Sequence, residues 1–80
     1  MDIIEGSVVF RNLMGRAAFL RVKGSDDVEH QLYFRQEDLG EEGFARVRGI
    51  LLFEEVRVEV GPPMQLRTGT MARPAIRFVD

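Results

Sequence analysis

The stretch of residues 17–39, "AAFLRVKGSDDVEHQLYFRQEDL", alternates apolar and polar residues in two runs joined by an acidic turn. A period of two marks strands with one buried face, because successive side chains point to opposite sides of the backbone. In the first run Ala18, Leu20 and Val22 share a face opposite Ala17, Phe19, Arg21 and Lys23. In the second, Val28, His30, Leu32 and Phe34 share a face opposite Glu29, Gln31, Tyr33 and Arg35. "GSDD" between them is a turn. Antiparallel pairing of the runs places Phe19, Arg21, Tyr33 and Arg35 on one surface.

The rest of the chain reads as further strands and connections. Residues 2–11 favour a strand through Ile4, Val8 and Phe10, with Gly6 permitting a bend or bulge. Residues 12–15 carry turn residues. Residues 38–43 are acidic and bounded by glycine, which reads as a loop or one helical turn with no room for a full helix. Residues 45–53 read as a strand or bulged strand interrupted by Gly49, and Val56, Val58 and Val60 alternate against Arg57 and Glu59. "GPPMQLRTGTMARP" reads as a long hairpin connection with an extended portion around residues 64–66. Residues 75–79 restore a strand, Ile76 and Phe78 on the apolar side and Arg77 opposite. These segments predict one all-β domain over residues 1–80, a small five-stranded closed or partly closed barrel, since an open sheet would leave vulnerable edges.

Composition narrows the function. A chain of 80 residues buries only a small core. With no cysteine, disulfides, thiolate metal sites and cysteine nucleophiles are excluded. The N-terminus lacks a basic segment followed by an apolar run, and the apolar stretch 50–53 is far too short to span a bilayer, so a soluble cytoplasmic protein with no membrane role is expected. The net charge of −2 argues against a long-range positive field but leaves room for a local basic face. Of the 11 basic residues only Lys23 is a lysine. Guanidinium groups stack and form forked hydrogen bonds where an ammonium cannot, although genomic composition explains the bias equally well.

The order of elements resembles a cold-shock domain, a small OB-type barrel. "GSVVFRN" is similar to that family's first-strand pattern at Gly6, Val8, Phe10 and Asn12, while Val9 stands for its lysine and Arg11 for its second aromatic residue. "GRAAFL" occupies the place of the first RNA-binding motif and matches it at Phe19 and Leu20, with one platform aromatic missing at Ala17. "QLYFRQ" resembles the second motif, with Tyr33 aromatic, Arg35 in place of a histidine and Gln36 in place of a further aromatic. The resemblance implies a non-catalytic binder of single-stranded RNA or DNA, RNA ahead of DNA, with low sequence specificity. Its candidate nucleic-acid-binding residues are Phe10, Arg11, Phe19, Arg21, Lys23, Tyr33, Arg35 and Gln36. Aromatic faces there would stack on bases while arginines contact phosphate or cover a base.

The residues also support the opposite reading. Phe10 serves core or cross-strand packing as readily as ligand contact, and Arg21, Lys23 and Arg35 serve solubility and pairing with Glu29 or neighbouring acids. The acids of "EDLGEE" repel phosphate. The alternative is a protein-interaction or structural module, with a protein partner or a homodimer, on a barrel that has lost its nucleic-acid platform. Neither a nucleophile–base constellation nor a zinc-ligand spacing is present, His30 reads as a core or edge histidine, and no cofactor is expected.

Overall fold

The computed structural model describes residues 2–79. Its elements are β1 (Asp2–Met14), β2 (Ala17–Gly24), β3 (Glu29–Arg35), α1 (Gln36–Gly49), β4 (Glu55–Val60), β5 (Met64–Gln65) and β6 (Met71–Phe78). The two alternating runs become β2 and β3, paired antiparallel from Ala17↔Arg35 to Lys23↔Glu29. β1 is long enough to serve two neighbours, pairing β4 through residues 2–7 and β2 through residues 6–14. β4 pairs β6 antiparallel, and β6 meets β3 in a short parallel seam, Leu32↔Arg73 and Tyr33↔Pro74. That seam closes the five-stranded OB-type barrel the sequence predicts. β5 lies outside the ring, paired to the first residues of β6, where the extended portion was expected.

The core follows the period of two where strands are regular. Ala18, Leu20, Val22, Leu32 and Phe34 are fully buried, with Val8, Val56, Val58, Val60 and Ala75 completing the strand lining. Each valine, leucine or phenylalanine among them gains roughly 1.5–3 kcal/mol from burial, the two alanines less.

The segment after β3 departs from the expectation of a loop and a bulged strand. It is helical over Gln36–Gly49, broken by Gly40 at φ 76°, so that a short first turn leads into a straight second piece. Phe44, Val47 and Ile50 recur at three-residue spacing, are fully buried, and belong to the same cluster as the strand core. The helix packs against β3 and β6. Its charges suit the helix dipole, Glu37 and Asp38 in the first turn and Arg46 and Arg48 in the last.

Smaller departures have local causes. The turn between β1 and β2 is tighter than residues 12–15, because β1 continues to Met14 and Gly15 takes the left-handed conformation at φ 67°. Val28 lies in the turn before β3 and is 49% exposed. Ile76 is not on the apolar side: pairing passes from Val60↔Ala75 to Glu59↔Arg77, so Ile76 is the extra residue of a bulge and is 45% exposed. Phe78 packs on the core, stacked on Phe34 at 5.7 Å.

One ion pair ties the parallel seam to β1. Arg73 donates Nε to the Gly61 carbonyl at 2.8 Å and Nη2 to the Asp2 carboxylate. The hydrogen bond and charge of Arg73 hold the Asp2 carboxyl below its ordinary value. A depressed folded pKa contributes stability that is present above the ordinary carboxylate range and is lost as pH falls through the lower, folded value. The expected result in an NMR titration is an Asp2 carboxyl that titrates below an unperturbed aspartate and moves back up in Arg73→Met. An unchanged Asp2 titration in that variant would show the pair is not formed in solution.

Candidate binding face

The registers set out the outer side of β1, β2 and β3 as rows of side chains. Across the strands these are Ser7, Lys23 and Glu29; Phe10, Arg21 and Gln31; Asn12, Phe19 and Tyr33; and Met14, Ala17 and Arg35. Successive rows are separated by two residues, about 6.5–7 Å. Phe19 and Tyr33 sit directly opposite with ring centroids 5.0 Å apart and planes tilted by 33°, a contact of about 0.5–1.5 kcal/mol beyond area burial. Arg21 lies over the Phe10 ring at 5.1 Å. The face therefore has an aromatic centre flanked by the amides of Asn12 and Gln31.

Six of the eight residues singled out in the sequence, Phe10, Phe19, Arg21, Lys23, Tyr33 and Arg35, lie in these rows. The cations among them are already engaged by acids. Arg21 Nε lies 3.6 Å from Glu29 Oε1, and Lys23 Nζ lies 3.6 Å from Asp27 Oδ1. Arg35 donates Nε and Nη2 to the two carboxylate oxygens of Asp38 at 2.8 and 3.1 Å, and its Nη1 lies 2.9 Å from Glu37 Oε1. Those hydrogen bonds and that charge raise the Arg35 guanidinium above its ordinary range. Exposed pairs like these are worth about 0–1 kcal/mol each, and each sets a carboxylate beside a cation that a phosphate would otherwise meet.

Arg11 and Gln36 lie outside these rows. Pairing of β1 with β2 passes from Val8↔Val22 to Phe10↔Arg21, so Val9 is an extra residue and the alternation shifts by one. Arg11 then falls opposite Leu20, on the core side, with Nε buried and without a partner. Its Nη2 donates to the Arg48 carbonyl at 3.2 Å, placing a cation on the last turn of α1. Arg11→Met is expected to lower stability by about 1 kcal/mol and to leave ligand affinity unchanged, as read by urea unfolding and a binding titration on one sample. Gln36 opens α1; its backbone N–H donates to the Arg16 carbonyl at 2.9 Å, and its Oε1 accepts from Arg48 Nη2 at 3.5 Å.

Two concavities flank the aromatic centre. One, of about 170 Å³, is lined by Phe10, Asn12, Phe19, Arg21 and Gln31 from the strands and by Leu66, Thr68 and Thr70 from the β5–β6 connection. The long connection thus folds over the outer face, which its proline and glycine content did not reveal. The other, of about 650 Å³, lies between the β1–β2 turn and the first turn of α1, with Met14, Ala17 and Tyr33 as its apolar lining and Arg16, Gln36 and Glu41 among its polar residues. Arg16 and the Leu66, Thr68 and Thr70 wall are residues that strand alternation could not point to, since both come from connections.

The fold and this face define an OB-type barrel with an open sheet surface. The likeness to cold-shock domains holds at the level of that barrel. No protein-family model matches the chain, and no curated protein matches it significantly in sequence. Among solved structures it is similar to asparaginyl-tRNA synthetase from Pyrococcus horikoshii, including the form complexed with asparaginyl-adenylate, with a TM-score of 0.80 and 20% identity. That similarity covers 96% of this chain and 18% of the synthetase, so the chain spans less than a fifth of that protein. It is similar too to an OBody bound to hen egg-white lysozyme, with a TM-score of 0.69 and 14% identity over 95% of this chain and 76% of the OBody.

Among the described residues, no helix is long and apolar enough to cross a membrane.

Proposed function

We propose that the chain is a non-catalytic, cytoplasmic binding module whose outer β1–β2–β3 face docks a protein segment. The observation that carries this reading is the charge state of the face. Arg21, Lys23 and Arg35 are each held by an acid, and acids gather at both ends, Asp26, Asp27 and Glu29 at one and Glu37, Asp38 and Glu41 at the other. What remains is an aromatic centre with paired arginines, the composition of a protein-binding patch rather than of a phosphate track. That an OB-type barrel of similar extent, the OBody, is bound to lysozyme supports the same use of the scaffold. The acidic ends favour a partner segment with an apolar or aromatic centre and basic flanks.

Panning a displayed peptide library on the purified chain tests this. Enrichment of such segments is expected, and Phe19→Ser/Tyr33→Ser should weaken them at least about a hundredfold, the effect of removing two anchor side chains. Folding should survive, because both residues lie on the outer face. Peptides that bind the double variant equally well would remove the face from the account.

The second reading is single-stranded nucleic acid, RNA ahead of DNA and with low sequence specificity. The Phe19–Tyr33 pair between Asn12 and Gln31 favours it, since stacking plus amide hydrogen bonds can hold an unstacked base. Salt-sensitive oligonucleotide binding would distinguish it.

A further inference from the structure

The smaller cleft beside the aromatic pair is a built site rather than a gap between strands. Phe19 and Arg21 of β2 form its floor, with Phe10 and Asn12 of β1 on one side and Gln31 of β3 on the other. Its second wall is the connection between β5 and β6, which is closed on itself by two backbone hydrogen bonds of 2.9 Å, Leu66 N–H to the Thr70 carbonyl and Gly69 N–H to the Leu66 carbonyl. Gly69 at φ 88° permits that turn, and pairing of Gln65 with Met71 ties it to β6. The wall stands in place before anything enters, which lowers the ordering cost of binding.

We propose that this cleft receives one tyrosine side chain of the protein segment that docks on the face, an inference that rests on the protein-docking reading above. Volume sets the size of the occupant. At about 170 Å³ the cleft is smaller than the roughly 300–1,000 Å³ of small-molecule pockets and suits a single ring. Phe10 and Phe19 offer aromatic surface to that ring, and Leu66 completes the apolar part. Charge sets the sign of the occupant. Among the described residues the lining has no acid, and its one cation, Arg21, already lies over the Phe10 ring at 5.1 Å and 3.6 Å from Glu29. An incoming lysine or arginine would be repelled by Arg21, and an incoming carboxylate would compete with Glu29 for it. A neutral group is the one that meets neither obstacle.

The polar rim selects among neutral rings. The carboxamides of Asn12 and Gln31 make no side-chain hydrogen bond among the described residues, and each carries both donors and an acceptor. Thr68 Oγ1 donates to Thr70 Oγ1 at 3.2 Å, which leaves the Thr70 proton to be given to a ligand. A tyrosine hydroxyl donates and accepts at once, whereas an indole N–H only donates and a phenylalanine ring does neither. Asn12 and Gln31 stand on β1 and β3, one row apart. One of them therefore meets the hydroxyl, and the other is left for a peptide group of the same segment, whose N–H and C=O match a carboxamide.

NMR titration of the isotope-labelled chain with N-acetyl-tyrosinamide, read at the backbone amides of Phe19, Leu66 and Thr70, tests it. The expected result is saturable binding, roughly two- to tenfold tighter than that of N-acetyl-phenylalaninamide, the effect of one neutral hydrogen bond. N-acetyl-leucinamide should not saturate. Asn12→Leu/Gln31→Leu/Thr70→Val should bring tyrosinamide down to the level of phenylalaninamide and leave phenylalaninamide unchanged, so that the second probe also reports an intact fold. Equal affinity for the two ring probes on the unaltered chain overturns the proposal. So does uridine saturating the same resonances at lower concentration than tyrosinamide, which would put a nucleobase in the cleft. The displayed peptides separate this inference from the reading beneath it. Segments that need Phe19 and Tyr33 yet carry no tyrosine would overturn the cleft assignment and leave the face in place, whereas a library from which nothing is enriched would remove the face itself.

Discussion

Phe44→Ala is expected to leave the chain largely unfolded at physiological temperature. Phe44 is completely buried, and with Val47, the C-cap residue Ile50 and the partly buried Leu39 it joins α1 to the barrel core. Arg48 lies over the outer edge of its surroundings at 4.9 Å from the ring centre, so truncation also removes a cation–π contact. Replacing a buried Phe by Ala costs about 3–5 kcal/mol once the cavity is included. A chain of 80 residues has a total stability of roughly 4–12 kcal/mol, so most or all of the margin disappears. At about 4–8 °C per kcal/mol for a domain of this size, the thermal midpoint should fall by tens of degrees, or the cooperative transition should vanish. Phe53→Asn is the internal control, since that phenylalanine is exposed and left-handed. Equal losses from both substitutions would mean that α1 does not plug the barrel.

Gly6→Ala is expected to be nearly as damaging, for a reason that involves no cavity. Gly6 sits where β1 changes partners, opposite Gly24 of β2 and Val56 of β4. A Cβ built there would lie 2.1 Å from the Lys23 carbonyl oxygen and 2.7 Å from its carbon. Both obstructing atoms are backbone within the β1–β2 ladder, so relief requires the strands to part. A loss of about 3 kcal/mol, the upper end of the range for overpacking, is expected in denaturant titration. Gly49→Ala should act in the opposite direction. Nothing lies near the added Cβ, the position is the last of α1, and alanine is the better helix former by about 0.5–1 kcal/mol. If both substitutions behaved alike, the close approach at Gly6 would not exist in solution.

What alternation could show, and where it failed, is clearest in particular residues. Ala18, Leu20, Val22, Leu32 and Phe34 were legible because β2 and β3 run without interruption. Ile76 departs from the apolar side, and Arg11, a candidate ligand contact, falls opposite Leu20, because a single unpaired residue in each strand, Ile76 itself and Val9, moves the alternation by one. No period-of-two reading can detect that shift. α1 was hidden by its own composition, with Gly40, Gly43 and Gly49 lowering helix propensity. Yet Phe44, Val47 and Ile50 carried a three-residue rhythm that a helical template registers. The central aromatic pair of the binding face was readable, whereas its second wall was not. Leu66, Thr68 and Thr70 reach Phe10 and Phe19 through a connection whose path depends on the closed barrel.

The central claim is that this face, with its cations neutralised, is a surface for protein rather than for phosphate. Fluorescence anisotropy of labelled mixed-sequence single-stranded RNA, titrated with the chain at low and at physiological salt, tests it most directly. The account predicts at most weak binding at low salt and a flat curve at physiological salt. Saturable binding at physiological salt that weakens as salt is raised and disappears in Phe19→Ser/Tyr33→Ser would contradict it and establish the face as a nucleic-acid platform.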